Sequence, residues 1–270
     1  MENRETSRDS TPGYRVFTCG HSFHVWVAEL LADVANSAEI QGHVLAGTSS
    51  IGGSPAVNHW DVPDETNEAK KALRAGTVDV LTLSCMSGPD EGIYRFAEFA
   101  VKHNPRVRVT LQELWLPEDR YPFDPFHRVR KSVQEYDETS MTELDVAHEA
   151  YFQVMEDHVK NLNREIGFKC ISIVPDAQAV LALRKMILRG DAPGLAKQSD
   201  LFTDAWGHPG PIVKMLATYC HFSVIYGRSA VGLPIPMALH ELPEEIAAAL
   251  TDRLQRLTWD VVSAHPMTYV

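Results

Sequence analysis

The sequence predicts an α/β protein with three layers, α/β/α, around a flavodoxin-like, five-stranded parallel sheet. The first observation is that short apolar runs alternate with helical segments along most of the chain, a pattern typical of a parallel sheet covered on both faces. The second is the composition: 44% of the 270 residues are hydrophobic and 23% are charged, as in ordinary globular proteins. We expect a flexible N-terminus over residues 1–13 and a single domain over residues 14–270.

Four of the five strands are predicted in the first half of the chain, where apolar runs end at turn-forming residues. These strands are residues 14–19, 39–45, 78–83 and 107–111. The apolar residues Val27, Leu30, Leu31 and Val34 share one face of a helix after the first strand. Further helices are expected over residues 65–75 and 93–101.

The second half begins with the clearest helix signal. Ser140 and Glu143 have the spacing of a capping box, apolar residues recur at helical intervals up to Ile166, and Gly167 ends the pattern. Residues 170–174 form a short apolar run that suits a buried fifth strand. The remaining predicted helices are residues 177–188, 212–226 and 244–257. Between the fourth strand and the long helix, an insertion is expected at about residues 116–140.

Charge and targeting signals narrow the range of partners. The formal net charge of −11 disfavours nucleic acid and anionic membranes as main partners. The first fifteen residues lack an apolar core, and no stretch reaches the ~18 apolar residues of a membrane helix, so a cytoplasmic location is expected.

The four cysteines are far apart and lack C-x-x-C spacing, which favours buried free thiols. The oligomeric state stays open.

Ligands of an open parallel sheet bind where its strands end, so the loop at residues 19–24 is the first candidate site. Ser22 follows the first strand directly and precedes a helix. A serine in that place can act as a nucleophile whose backbone N–H also donates to an oxyanion. The alternative is that Ser22 is the N-cap of the helix.

Two further segments carry candidate residues. The Gly- and Ser-rich loop at 47–54 allows close approach of the backbone to a ligand, but it lacks the lysine of a phosphate-binding loop and can equally be a plain mobile loop. In the segment from Asp204 to His208, the histidine suits proton transfer from a serine, and the carboxylate can orient the ring. The alternative is a chance His-Pro-Gly turn.

Together these segments resemble the SGNH, or GDSL-type, hydrolase superfamily. The resemblance rests on Gly20-His21-Ser22-Phe23 after the first strand, Gly52-Gly53-Ser54 after the second, the Asp204 to His208 segment and the strand-helix alternation. The run from Ser50 to Ser54, followed by His59-Trp60, is also similar to bacterial members whose first block is Gly-Asn-Ser-Phe. The resemblance covers residues 14 to about 226.

The resemblance implies a serine hydrolase that cleaves a small carboxylic ester through an acyl-enzyme, with an O-acetyl ester of a carbohydrate as one candidate. Ser22 would attack the carbonyl, His208 would remove the serine proton, and Asp204 would orient the imidazole. The backbone N–H groups of Ser22 and Gly53 would hold the oxyanion. No cofactor and no metal is implied.

The chain departs from the family pattern in three places. His21 replaces the usual acidic or amide residue before the serine, and the Asp204 to His208 spacing is one residue longer than usual. After the third strand, where the family has a Gly-x-Asn-Asp block with an Asn oxyanion donor, the chain reads Ser-Cys-Met-Ser-Gly. The candidates to replace that donor are Ser84, Ser87, Asn58 and Gln112.

Two other functions remain open at this point. A metal-dependent hydrolase is suggested by the H-x-x-H pair of His21 and His24, although a third ligand is not evident. A catalytically degenerate binding protein is suggested by the missing Asn. Within the insertion, Tyr121, Phe123 and Phe126 form either a wall of the substrate site or an ordinary surface excursion.

Overall fold

Five parallel strands form one sheet in this computed structural model, which describes residues 11–86, 88–124 and 126–270. The strands are β1 (Arg15–Gly20), β2 (Val44–Ser50), β3 (Val80–Ser84), β4 (Arg108–Gln112) and β5 (Ile171–Val174). Their spatial order, β2-β1-β3-β4-β5, is the flavodoxin-like order. The predicted fold class is therefore confirmed. Most of the expected flexible N-terminus lies outside the described residues.

Helices cover both faces of the sheet. They are α1 (Val27–Ser37), α2 (Ala56–Trp60), α3 (Glu68–Arg74), α4 (Glu91–His103), α5 (Met141–Ile166), α6 (Asp176–Arg189), α7 (Pro211–Tyr226) and α8 (Glu244–Ala264). One apolar core lies between the sheet and α1, α6, α7 and α8, and a second lies between the sheet and α3, α4 and α5. In the described part of the chain, no helix combines the length and the apolar character needed to cross a membrane.

The ends of α5 agree with the sequence prediction. Ser140 and Glu143 form the capping box, with each side chain accepting from the other residue's backbone N–H. Gly167 adopts a left-handed conformation (φ 94°) at the end of the helix. These local signals define the ends because the residues that satisfy the terminal backbone groups are close in sequence.

The second strand is a correction. Residues 39–45 were expected to be extended, but Glu39 (φ 57°) and Gly42 (φ 84°) adopt left-handed turn conformations, and β2 begins at Val44. The Gly- and Ser-rich run up to Ser50, expected to be loop, is an edge strand paired with β1. Pairing with a neighbouring strand therefore outweighs the weak strand propensity of this run.

The helices differ from the sequence prediction in two places. The short helix α2 was not predicted, and α8 continues past the expected end at residue 257 to Ala264. Asp90 accepts hydrogen bonds from the backbone N–H groups of Ala56 and Val57 at the start of α2. This cap comes from a residue distant in sequence, so local signals could not reveal it.

Candidate active site

The nucleophile candidate lies in a tight turn between β1 and α1. The backbone N–H groups of His24 and Val25 donate to the His21 carbonyl at 2.8 and 3.0 Å. Ser22 is exposed at the top of this turn. The alternative role of Ser22 as helix N-cap is wrong, because α1 begins at Val27 with Trp26 in the cap position.

Ser22, His208 and Asp204 form a continuous chain of hydrogen bonds. The distance from Ser22 Oγ to His208 Nε2 is 2.9 Å, and the distance from His208 Nδ1 to Asp204 Oδ2 is 2.6 Å. A carboxylate only accepts, so Nδ1–H of the ring donates to Asp204, and Nε2 accepts the Ser22 hydroxyl. The longer Asp204 to His208 spacing therefore still lets the carboxylate reach the ring.

The loop that carries Asp204 and His208 is held from several sides. Asp204 Oδ1 accepts from the backbone N–H groups of Trp206 (2.9 Å) and His208 (3.2 Å). Gly207 has a left-handed φ of 85°, and a Cβ there would lie only 2.6 Å from Tyr136 Oη. Trp115 Nε1 donates to the Gly207 carbonyl at 2.9 Å. These contacts restrict the positions that the imidazole can take.

The environment of Asp204 favours its ionised form. Burial acts to raise the pKa of the carboxyl, but hydrogen bonds from the ring and backbone N–H of His208 outweigh it, and the pKa lies below its ordinary value. An ionised carboxylate stabilises the imidazolium that forms when His208 takes a proton. The arrangement can therefore support general base catalysis.

Gly53 borders the same pocket as Ser22, in the turn that follows β2. Its φ of 58° is left-handed, and a Cβ at this position would meet no atom within 4 Å. The two turns are tied together, because the N–H of Ile51 donates to the Gly20 carbonyl at 3.2 Å. The structure thus brings the two expected oxyanion donors to one pocket.

A methionine lines the pocket in the block where the family has its Asn donor. Met86 follows β3 and borders the pocket, whereas none of the described replacement candidates is among the lining residues. Ser84 Oγ is buried beside His21 Nε2 (3.2 Å), and Asn58 is exposed on α2. Ser87 lies outside the described residues.

Gln112, the remaining replacement candidate, is held beneath the nucleophile turn. Its amide nitrogen donates to the Phe23 carbonyl at 3.1 Å, and its oxygen lies 2.6 Å from His24 Nδ1. The side chain is fully buried. Both ends of the Gln112 amide are therefore used to support the turn that carries Ser22.

The histidine pair proposed as metal ligands is bonded to protein groups. His24 lies between Gln112 and Thr82, with 2.8 Å between Nε2 and Thr82 Oγ1. His21 Nδ1 accepts from the Phe23 N–H, and burial lowers the pKa of its ring to about 4. Among the residues that the structure describes, no group of three His, Cys, Asp or Glu side chains is placed to hold a metal ion.

The pocket beside Ser22 has a volume of about 260 Å³ and mostly apolar walls. Its apolar lining consists of Phe23, Met86, Leu114, Pro117, Phe123 and Trp206. Phe123, from the insertion, contacts Trp206 edge-to-face at 5.8 Å between ring centroids. Phe126 is 89% exposed and Tyr121 packs on Tyr151. The insertion therefore supplies a wall of the pocket through one of its three predicted aromatic residues.

Sequence reasoning missed Trp206 and Leu114 as lining residues. Trp206 stands between Asp204 and His208, so its place in the candidate segment was an available signal. Leu114 lies just beyond β4, where parallel strands present ligand-binding residues. His59 and Trp60 are not among the lining residues.

No family model matches the sequence, and no curated protein does either. Among solved structures, a DUF4886 family protein from Bacteroides uniformis is 16% identical, with a TM-score of 0.58 over 94% of this chain and 95% of the other. A proposed SGNH hydrolase from Slackia heliotrinireducens is 16% identical, with a TM-score of 0.45 over 78% and 98%. A phospholipase A1 from Streptomyces albidoflavus is 9% identical, with a TM-score of 0.43 over 79% and 99%. The likeness to the DUF4886 family protein shows a shared fold and carries no information on activity.

Proposed function

We propose that this protein is a serine esterase of the SGNH type, which cleaves a carboxylic ester through an acyl-enzyme. The observation that carries the proposal is the chain of hydrogen bonds from Ser22 through His208 to Asp204, which opens on an apolar pocket. A nucleophile, a base within hydrogen-bond distance and a third group that orients the base are the parts this chemistry requires.

The proposed reaction proceeds in two stages. Ser22 Oγ attacks the ester carbonyl while His208 Nε2 takes the serine proton, and the carbonyl oxygen becomes an oxyanion facing the N–H groups of Ser22 and Gly53. Collapse of this intermediate releases the alcohol, which takes the proton from His208. A water molecule then loses its proton to His208 and attacks the acyl carbon, and the acid leaves as Ser22 recovers its proton. Apart from the ester itself, the reaction needs only these protein groups and one water molecule.

The pocket walls favour an acyl group with apolar character. Phe123, Trp206 and Leu114 offer aromatic and aliphatic surface, which gains from covering a hydrocarbon chain or the face of a ring. An acetyl group would cover little of this surface. We therefore place longer acyl esters ahead of carbohydrate O-acetyl esters as substrates.

Hydrolysis of nitrophenyl esters from acetyl to octanoyl tests the proposal. We expect turnover that rises with acyl length until the pocket is filled, and we expect Ser22→Ala to reduce kcat by about 10³-fold or more. A fluorophosphonate should label the wild-type protein and leave Ser22→Ala unlabelled. Ser263→Ala, which changes an exposed serine on α8, is the matched control and should retain both activities.

If the wild-type protein neither hydrolyses any of these esters nor reacts with the fluorophosphonate, the esterase proposal is wrong. A catalytically degenerate binding protein would then be the better explanation, in line with the Met86 found where the family has an Asn donor.

A further inference from the structure

A second chain of hydrogen bonds lies behind the turn that carries Gly53. His59 is 1% exposed. Its Nδ1 lies 2.8 Å from Ser49 Oγ, and its Nε2 lies 2.9 Å from Ser54 Oγ. Ser54 Oγ also donates to the Ile51 carbonyl at 2.9 Å. The ring thus connects the last residues of β2 with the turn that follows the strand.

The direction of each hydrogen bond in this chain follows from the Ile51 carbonyl, the acceptor at which the chain ends. The Ile51 carbonyl can only accept, so it takes the single hydroxyl proton of Ser54. Ser54 Oγ must then accept from His59, which places the ring proton on Nε2 and leaves Nδ1 to accept the Ser49 hydroxyl. A neutral ring satisfies every member of this chain. Burial lowers the pKa of His59 in favour of that state and outweighs a hydrogen bond to the Gly20 backbone that acts to raise it.

The held turn contains Gly53, whose N–H is the second proposed oxyanion donor. Ile51 and Ser54 are joined by the Ser54 hydroxyl, and Gly53 lies between them, where an added Cβ would meet no atom within 4 Å. Packing around Gly53 itself therefore gives its N–H little restraint on that side. The direction of the Gly53 N–H therefore depends on the hydrogen bonds that the neighbouring residues make.

The helix that carries His59 is itself well anchored. Asp90 accepts from the backbone N–H of Val57 at 3.1 Å, and Asn67 donates to the His59 carbonyl at 2.8 Å. These bonds fix α2 at both ends. The ring therefore has a firm base from which to hold the turn.

We propose that His59 is a positioning residue, which fixes the turn between Ile51 and Ser54 so that the Gly53 N–H points at the developing oxyanion. This inference rests on the proposed esterase function. Because Met86 stands where the family has its Asn donor, the backbone N–H groups carry more of the stabilisation. A misdirected Gly53 amide would then cost rate directly, since such donors act only at the right distance and angle.

The test compares His59→Leu with His59→Gln, using a longer-chain nitrophenyl ester. We expect His59→Leu to lower kcat by about 10-fold or more with KM changed by less than about twofold, because the transition state loses a donor and the apolar pocket is untouched. His59→Gln should recover most of kcat, since an amide can donate to Ser54 and accept from Ser49. Affinity for an alkyl boronic acid, which forms a tetrahedral adduct on the serine, should fall in parallel with kcat.

Each rate is divided by the concentration of active sites, titrated with a fluorophosphonate, so that misfolded protein does not count. His43→Leu is the control. The His43 ring lies at the opposite end of β2, where its Nδ1 is 2.5 Å from Tyr226 Oη. The kcat per active site of this variant should stay at the wild-type value. Ser54→Ala breaks the contact with the turn without removing the ring, and it should lower kcat as His59→Leu does.

If His59→Leu and Ser54→Ala lower only thermal stability or the fraction of titrated sites, with kcat per site and boronate affinity unchanged, His59 has a structural role alone and the inference is wrong. If His59→Leu does not fold, Ser54→Ala decides the question. Failure of the esterase proposal is distinguishable, because the wild-type protein itself would then show no turnover and no titratable serine.

Discussion

Asp204 uses its two carboxylate oxygens for different purposes. Oδ1 holds the loop through the backbone N–H groups of Trp206 and His208, whereas Oδ2 accepts from the imidazole. Replacing one oxygen by an amide nitrogen therefore separates the two roles of the side chain. The loop bonds can persist while the bond to the ring changes its direction.

We expect Asp204→Asn to lower kcat by about 10³-fold to 10⁴-fold with little loss of fold stability. Asparagine can keep its oxygen on the backbone N–H groups, but its amide would donate to His208 Nδ1. That bond places the ring proton on Nε2, so the imidazole can no longer accept the proton of Ser22. Steady-state kinetics with a nitrophenyl ester measures the effect.

The matched control is Asp260→Asn, which changes an exposed carboxylate on α8 and should leave kcat unchanged. Thermal unfolding of both variants separates a catalytic effect from a loss of structure. A variant at position 204 that keeps more than about a tenth of wild-type kcat would show that the carboxylate does not determine the tautomer of His208.

The sequence could single out Ser22, Asp204 and His208 as candidates, which the structure places within hydrogen-bond distance of one another, because each belongs to a short segment with a recognisable chemical pattern. It could not predict Met86 as a lining residue or His59 as a support of the Gly53 turn. Those roles depend on which side chains face each other after the strands pair. Neither spacing nor residue type reveals that.

At the scale of elements, the insertion owes its position to a buried cluster of charges. Arg184, on α6, and Arg130 both pair with Asp119 in the 3-10 helix Pro117–Asp119, at 2.8 Å from Arg184 Nη2 and 2.9 Å from Arg130 Nη2. Burial acts to raise the pKa of Asp119, but the two guanidinium groups outweigh it and hold the pKa below its ordinary value. The segment that supplies Pro117 and Phe123 to the pocket is thus fixed to a core helix.

We expect Arg184→Met to reduce the free energy of unfolding by about 3–5 kcal/mol, because it leaves the Asp119 charge buried with one guanidinium instead of two. Urea unfolding at neutral pH measures the loss. Arg189→Met, on the same helix at a more exposed position, is the control and should change stability by less than about 0.5 kcal/mol.

The pH dependence provides an independent check on the same pair. The folded pKa of Asp119 is depressed, so its stabilisation is present above the ordinary carboxyl pKa and is lost as the pH falls through the folded pKa. Arg184→Met should therefore differ less from the wild-type protein in acid than at neutral pH. A difference that stays constant over that range would show that the loss of stability does not come from the ion pair between Arg184 and Asp119.

Elements with local end signals were predicted with nearly correct bounds, as α5 and α6 illustrate. The edge strand β2 was misplaced because its Gly- and Ser-rich residues gain strand structure only by pairing with β1. Propensity describes the isolated segment, whereas the register of a parallel sheet is set by a partner far away in sequence. The whole sheet could still be predicted, since the alternation of elements survives an error of a few residues.

At the scale of the whole molecule, a buried carboxyl group near the end of β4 makes stability depend on pH. Glu113 follows β4 and is fully buried, and burial raises its pKa to about 8. Gln178 donates to its carboxyl, and His265 Nε2 lies 4.0 Å away. Glu156 and Asp176 also act to raise the pKa of Glu113, and Lys160 acts to lower it. The protonated form therefore suits this site.

The sign of the effect follows from the raised pKa. The folded protein holds the Glu113 proton up to about pH 8, whereas the unfolded chain loses it near the ordinary carboxyl pKa. The stabilisation from this group is complete below the ordinary pKa and is lost as the pH rises through the folded value. Each unit of that shift corresponds to about 1.4 kcal/mol, so the total loss can reach a few kcal/mol.

We expect Glu113→Gln to become more stable than the wild-type protein as the pH rises from about 5 to about 8, by up to a few kcal/mol. Glutamine keeps an oxygen to accept from Gln178 but has no proton to lose. Urea unfolding across this range measures the difference, and the titration of groups far from residue 113 cancels because both proteins contain them. Glu149→Gln, an exposed change on α5, should give a constant difference near zero. If the curve for Glu113→Gln runs parallel to the wild-type curve, Glu113 is ionised in the folded protein and the proposed cause of the pH dependence is wrong.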